Sequence, residues 1–255
     1  MDEGSEMQWS RSAARWGPRL QQALKGVGLL LIATVPLVYG GAYLSDYFKA
    51  KFALLYTGIG LMLALSLLQL GASEKWRVYK RSYDWPLAVC VGMSLGSLAW
   101  AVNPLRGMEV WLTQVWLFAF FLMVVRFFSN ARMVWMTLWT IALGSFVVSV
   151  IGLLQYRGIH LVPLSYGHWG NFGVSTLGNP NFVAHYLELC IVLLGGMLLA
   201  RRRLREKVGL GVLLLFEIYY LLMTRSRGGW LALAVGLLAL CLFYWPRSLR
   251  RIALV

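Results

Sequence analysis

Long apolar blocks alternate with short polar segments along the whole chain. Eight blocks stand out, at 26–44, 52–70, 85–101, 110–125, 133–154, 182–200, 208–223 and 228–245. A helix rising about 1.5 Å per residue needs about 20 residues to cross the hydrocarbon core of a bilayer, and most of the blocks have that length. The two shortest, 110–125 and 208–223, are flanked by Glu109 and Thr224, which carry each helix into the headgroup zone. Inside hydrocarbon every backbone amide must be paired within the protein, so the blocks are read as helices. The predicted fold is an all-α, polytopic integral membrane bundle of about eight transmembrane helices. Residues 1–25 form a basic N-terminal segment, 26–245 the bundle, and 246–255 a C-terminal segment. The first block continues past Leu31 with bulky residues and no small-residue cleavage site, so it is read as a retained span and not a signal peptide.

Composition agrees with this pattern. The 255 residues are 59% hydrophobic and 13% charged, against about 45–50% and about 25% for a soluble domain. With residues 1–25 on the cytoplasmic side, eighteen of the 24 Lys and Arg fall in the inner segments 1–25, 71–84, 126–132, 201–207 and 246–255. The outer segments 45–51, 102–109, 155–181 and 224–227 hold the other six. That asymmetry satisfies the positive-inside rule and puts both termini in the cytoplasm. The net charge of +14 then reflects contact with anionic membrane lipids. The basic run Arg201–Lys207 is a seven-residue turn with no room for a nucleic-acid-binding domain, so no nucleic acid is expected.

Several features are read as structural. Cys90, Cys190 and Cys241 lie within blocks and lack metal-ligand spacing. Gly58-Ile59-Gly60 and the Gly92–Gly96 stretch read as seams for close helix approach. Pro36 is expected to kink the first span. Trp and Tyr at block edges, such as Tyr43, Tyr47, Trp76, Tyr79, Trp85, Trp230 and Trp245, suit headgroup anchoring. The one long connection is 155–181, on the outer side. It is either a lid with a short interfacial helix around 161–169 or an inert external loop.

Two polar interruptions carry the candidate chemistry. In Gly178-Asn179-Pro180-Asn181, Asn179 suits the cap of the next helix and Pro180 its first turn. Capping leaves Asn181, His185 and Glu188 over. Their spacing puts them on one side of a span, where polar groups face either a bundle interior or a wet cavity. They are read as cavity or supporting residues, or as a structural network between helices. His185 and Glu188 are two ligands where zinc enzymes usually need three, and His160 and His168 lie in the external loop, so no metal is expected. Glu217 is a second intramembrane acid. It is expected to pair with an arginine or to lie near Tyr219 and Tyr220, in a packing role. In Thr224-Arg225-Ser226-Arg227-Gly228-Gly229-Trp230, two arginines sit on the side depleted of positive charge, at the start of the last span. Helix N-termini favour anions, and arginine offers phosphate a rigid fork of donors. Arg225 and Arg227, with Ser226 and Gly228, are read either as a phosphate clamp or as snorkelling interface arginines.

The segments "TLGNPNFVAHYL" and "TRSRGGWLAL", one helical hairpin apart, resemble the O-antigen ligase and polymerase superfamily of bacterial membrane proteins, over roughly residues 130–245. The resemblance implies a GT-C-like, metal- and cofactor-independent inverting glycosyltransferase of the cytoplasmic (inner) membrane, acting in lipopolysaccharide biosynthesis or related glycan transfer. It implies a polyprenyl-diphosphate-linked glycan as donor, a lipid, glycan or protein as acceptor, and Arg227 with Arg225 at the diphosphate. Asn179-Pro180-Asn181 would shape the same cavity. The catalytic group itself is not assigned. Family members carry a large periplasmic loop and further spans beyond this region. The expectation is therefore a fragment, or a shortened homologue that takes the missing half from a partner chain and does not turn over alone. The alternative is a secondary transporter or a non-catalytic membrane subunit.

Overall fold

The computed structural model describes residues 3–40, 47–71, 84–161 and 173–244. These residues form eight α-helices: α1 (Glu3–Thr34), α2 (Tyr47–Gly71), α3 (Asp84–Gly96), α4 (Pro104–Phe127), α5 (Ala131–Tyr156), α6 (Pro180–Ala200), α7 (Leu204–Met223) and α8 (Arg227–Tyr244). Short 3-10 turns at Ser97–Trp100 and Ser175–Leu177 are the other regular elements, and no strand occurs among the described residues. Five helices are long and apolar enough to cross a membrane: α2 over Phe48–Leu70, α4, α5, α6 and α8. The protein is an all-α, multi-pass membrane helical bundle with several apolar spans.

Three blocks end differently from their hydropathy. The first does not run to residue 44 as a kinked helix. α1 starts back in the basic N-terminal segment and stops at Thr34, because the residue before Pro36 is pushed out of the helical region. The third block is a 13-residue helix continued by a 3-10 turn, and none of its residues is buried. α7 carries Arg205, Glu206, Lys207 and Glu217 along its length, which keeps it outside the set of five. The expected interfacial helix around 161–169 lies almost entirely outside the described residues, as do His168 and the ends of the chain.

The chain forms two compact units, residues 1–31 with 54–134, and residues 32–53 with 135–255. In the first, α1 meets α2 where Leu31 fills the space left by Gly58, and a Cβ there would lie 2.3 Å from the Leu31 Cδ2. Tyr56 bonds Thr113 of α4 at 2.6 Å, and the Trp111 indole donates to the Val91 carbonyl at 3.1 Å. Gly58 is thus a seam residue, but Gly92 and Gly96 are not: a Cβ at either would meet nothing within 4 Å.

The second unit holds the main buried core. Val183, Ala184, Leu187 and Ile191 of α6 pack with Tyr220 and Leu221 of α7 and Leu233 of α8. A Cβ on Gly229 would lie 2.6 Å from the Ala184 Cβ, one on Gly236 2.6 Å from Val192 Cγ2, and one on Gly195 2.9 Å from Leu240 Cδ2. Those contacts advance together along both helices, so α6 and α8 run parallel and begin at the same end. Without a hydrophobic drive between helices in lipid, such close backbone approach is what supplies the packing energy. At the other end, the Arg201 guanidinium sits 3.8 Å from the Trp135 ring centre and its Nε 3.3 Å from Glu206. The basic segment 201–207 is therefore partly built into the fold, its last four residues opening α7, and not simply a solvated loop.

Candidate functional site

The start of α6 follows from its sequence. Asn179 is extended (φ −149°, ψ 132°) and its Oδ1 accepts the Asn181 N–H at 2.8 Å, with Pro180 in the first helical position where no N–H is needed. Ahead of it, Gly178 turns the chain with φ +74°. Thr176 Oγ1 donates to the Pro36 carbonyl at 2.6 Å. That carbonyl also accepts from Lys51 at 3.0 Å, and the ammonium donates further to the Val35 and Val38 carbonyls. Lys51 is 7% exposed. It caps the broken end of α1, where orphan carbonyls and the negative end of the helix dipole favour a cation. The sequence counted Lys51 only as an outer charge. Its signal is a lysine one turn into a helix that follows a proline-ended one.

The turn between α7 and α8 is equally specified. Thr224 Oγ1 donates to the Leu221 carbonyl at 2.7 Å and accepts the Ser226 N–H at 3.3 Å. Ser226 Oγ accepts the Gly229 N–H at 3.4 Å, a cap on the first turn of α8. The Trp230 indole ties back to the Leu221 carbonyl at 3.3 Å. Arg225 has φ +55°. It stands just past a helix end, where glycine usually takes the left-handed conformation. For a non-glycine residue that conformation costs about 1–2 kcal/mol, and such strain clusters at functional positions.

The contact of Gly229 with Ala184 brings the two interruptions together at the common start of α6 and α8. Asn181, His185, Arg225, Arg227 and Gly228 are exposed there, Asn179 and Glu188 half-buried, and Ser226 buried. His185 Nδ1 lies 3.4 Å from Glu188 Oε1, and the other Glu188 oxygen is buried without a hydrogen-bond partner. Arg227 has no acidic partner among the described residues. Of the glycine pair, Gly229 makes the close approach, while a Cβ on Gly228 would meet nothing within 4 Å. The end presents exposed guanidinium groups, the positive dipole ends of two helices and an imidazole beside a carboxylate. That set can hold an anion.

Glu217 lies apart from this end. It is fully buried and takes a hydrogen bond from Ser145 Oγ, with no arginine partner among the described residues, so of the two expectations the arginine pair is not seen and a hydroxyl takes its place. Tyr220, one turn on, donates to the Gly173 carbonyl at 2.7 Å. His160 is exposed beyond the end of α5. No group of metal-binding side chains occurs among the described residues. No protein-family model matches the chain, and no curated protein or solved structure matches it.

Proposed function

We propose that the chain is a GT-C-like glycan transferase of the O-antigen ligase and polymerase type, with eight spans and both ends in the bacterial cytoplasm. It takes a glycan from a polyprenyl diphosphate and passes it to a lipid, glycan or protein acceptor on the outer side of the inner membrane. The observation that carries this reading is the convergence of "GNPN" and "TRSRGGW" at the shared start of α6 and α8, with Arg227 and the strained Arg225 exposed. In the reaction the acceptor hydroxyl oxygen attacks the anomeric carbon and its proton passes to solvent. The bond from that carbon to the diphosphate oxygen breaks, and the electron pair leaves on the diphosphate. Charge grows on the leaving group, and guanidinium groups fixed beside it stabilise the transition state. Asn181, His185 and Glu188 line the same end, and Asn179 and Ser226 hold the two helix starts in place.

The test is transfer from a radiolabelled polyprenyl-diphosphate oligosaccharide in membranes carrying the chain within its longer parent protein or beside the partner chain expected to complete it. Arg227→Ala should lower turnover by about 100-fold or more, the usual effect of deleting a charge-stabilising donor. Unchanged turnover removes the assignment. The buried Glu217, with one carboxylate oxygen lacking a partner, favours a second reading as a proton-coupled transporter. Uptake into vesicles driven by a pH gradient and abolished by Glu217→Gln would establish that reading instead.

A further inference from the structure

The interior of the second unit holds two oxygen atoms without a partner. Glu217 and Ser149 are both fully buried. One Glu217 oxygen takes the Ser145 hydroxyl. The other, and the Ser149 hydroxyl, are sealed from solvent with no hydrogen bond. A hydroxyl in an apolar helix ordinarily bonds back to its own backbone. Thr140 and Ser145 of α5 do so, at the Met136 and Ala142 carbonyls, and Ser149 does not. Buried polar atoms are almost always paired, and an unpaired one is costly. Both atoms lie on the seam between α5 and α7. α5 touches α7 at Ser145, which meets Glu217, and again at Gly152, where a Cβ would lie 1.7 Å from the Tyr220 hydroxyl. Around α5, Ser149 stands about 40° from Ser145 and about 60° from Gly152, so it faces α7 between those two contacts. The Cys190 thiol of α6 lies beside Ser145 and bounds the same place.

We propose that this seam binds one sodium ion, held by the free Glu217 oxygen and the Ser149 and Ser145 hydroxyls. Hard cations take oxygen ligands. Groups of three His, Cys, Asp or Glu, which suit zinc and its neighbours, do not occur among the described residues, but an alkali cation needs only hydroxyls, carbonyls, water and a carboxylate. Charge selects the ion. Glu217 carries a single acidic group with no basic partner among the described residues, and an ionised carboxylate alone in an apolar interior is prohibitively costly. One monovalent cation makes a neutral pair there, whereas a divalent one leaves an uncompensated charge. A proton on Glu217 would also neutralise it but would leave the Ser149 oxygen unmet. A cation on the seam meets both orphaned oxygens at once. The site is separate from the arginine end, so the proposal does not depend on the transferase reading.

The test is binding of radioactive sodium to the protein purified in detergent with choline chloride as the only salt, read by scintillation proximity. Wild type should bind saturably, with displacement by unlabelled sodium and not by choline or calcium. Glu217→Gln, which keeps the shape of the side chain and a hydrogen bond to Ser145, should abolish binding. Ser149→Ala should weaken it about tenfold or more, the usual loss of one contact to a charged group. Thr140→Ala, whose hydroxyl serves its own helix, should leave it unchanged. Thermal unfolding in choline chloride shows that each variant is folded, and added sodium should raise the Tm of wild type but not of Glu217→Gln. Absence of saturable binding by wild type overturns the site and leaves the two oxygens to a bridging water. Displacement by calcium as readily as by sodium, or wild-type binding by folded Glu217→Gln or Ser149→Ala, overturns it equally.

Discussion

α4 and α6 begin with the same chemistry and end in different surroundings. Each opens on Asn-Pro, with Asn103 and Asn179 capping and Pro104 and Pro180 in the first turn. Each is apolar and long enough to span a membrane. Yet 44% of the α6 span is buried, against 6% of α4. The difference lies in what the neighbours offer. α8 brings Gly229 and Gly236 against α6, and α6 adds Gly195, so the backbones close on one another. On α4, Gly107 lies against the end of a leucine side chain, with a Cβ there 2.6 Å from Leu98 Cδ2, and only Met123 and Phe127 of the helix are buried. In lipid, hydrophobicity places a helix in the membrane, and small residues decide what it packs against.

The same contrast holds for charge. Arg106 in the first turn of α4 is paired with Glu109, whereas Arg227 at the first residue of α8 has no acid beside it among the described residues. The largest expected effect tests that contrast. Arg227→Ala should lower glycan transfer by about 100- to 1,000-fold. Arg106→Ala should leave it within about twofold, because exposed pairs of this kind carry little energy. Equal losses would mean that the arginines act through general surface charge.

Next come the glycines. A Cβ at Gly152 would land 1.7 Å from the Tyr220 hydroxyl, which holds the Gly173 carbonyl. Gly152→Ala should therefore cost about 2–3 kcal/mol through overpacking and a displaced hydrogen bond. That corresponds to a fall of roughly 5–10 °C in Tm for a chain of this size. Gly92→Ala on α3 meets open space and should be neutral or slightly stabilising, since alanine is the better helix former. A matching fall at Gly92 would show that α3 packs against something beyond its described neighbours.

Lys51→Met should cost about 2 kcal/mol, by leaving three carbonyls at the end of α1 without their common donor. Hydrogen exchange should quicken at residues 35–40 and around Thr176, which shares the Pro36 carbonyl. Exchange unchanged at Thr176 would uncouple the two. The smallest effects belong to the caps. Asn179→Ala should cost about 1 kcal/mol and Asn103→Ala about 0.5 kcal/mol, read by thermal unfolding in detergent. Asn103 is exposed where Asn179 is half-buried, so water more readily replaces the α4 cap.

Each of the eight described helices overlaps an apolar block, and five of them are long and apolar enough to cross a membrane, because a span must satisfy its own backbone and so announces itself by length. The start of α6 was legible where local chemistry sets it, at Asn179-Pro180, while the Ser226 cap on α8 was not read. The stop at Thr34 was harder to read, since Pro36 permits either a kink or a break. Asn181, His185 and Glu188 were legible as one side of α6 from spacing alone. The buried Lys51, the hydroxyl partner of Glu217 and the choice of Gly229 over Gly228 were not legible.

The sequence by itself determined that this chain crosses a membrane several times as helices, and where two of those helices must begin. Those are local consequences of hydrophobicity, proline and side-chain caps. Only the tertiary structure decided that α6 and α8 run side by side from a common start, bringing segments some forty-five residues apart in the chain to one end. Every apolar block is equally at home in hydrocarbon, so the bilayer does not choose between partners. Close contact does, through gaps at Gly195, Gly229 and Gly236 that only matching neighbours fill.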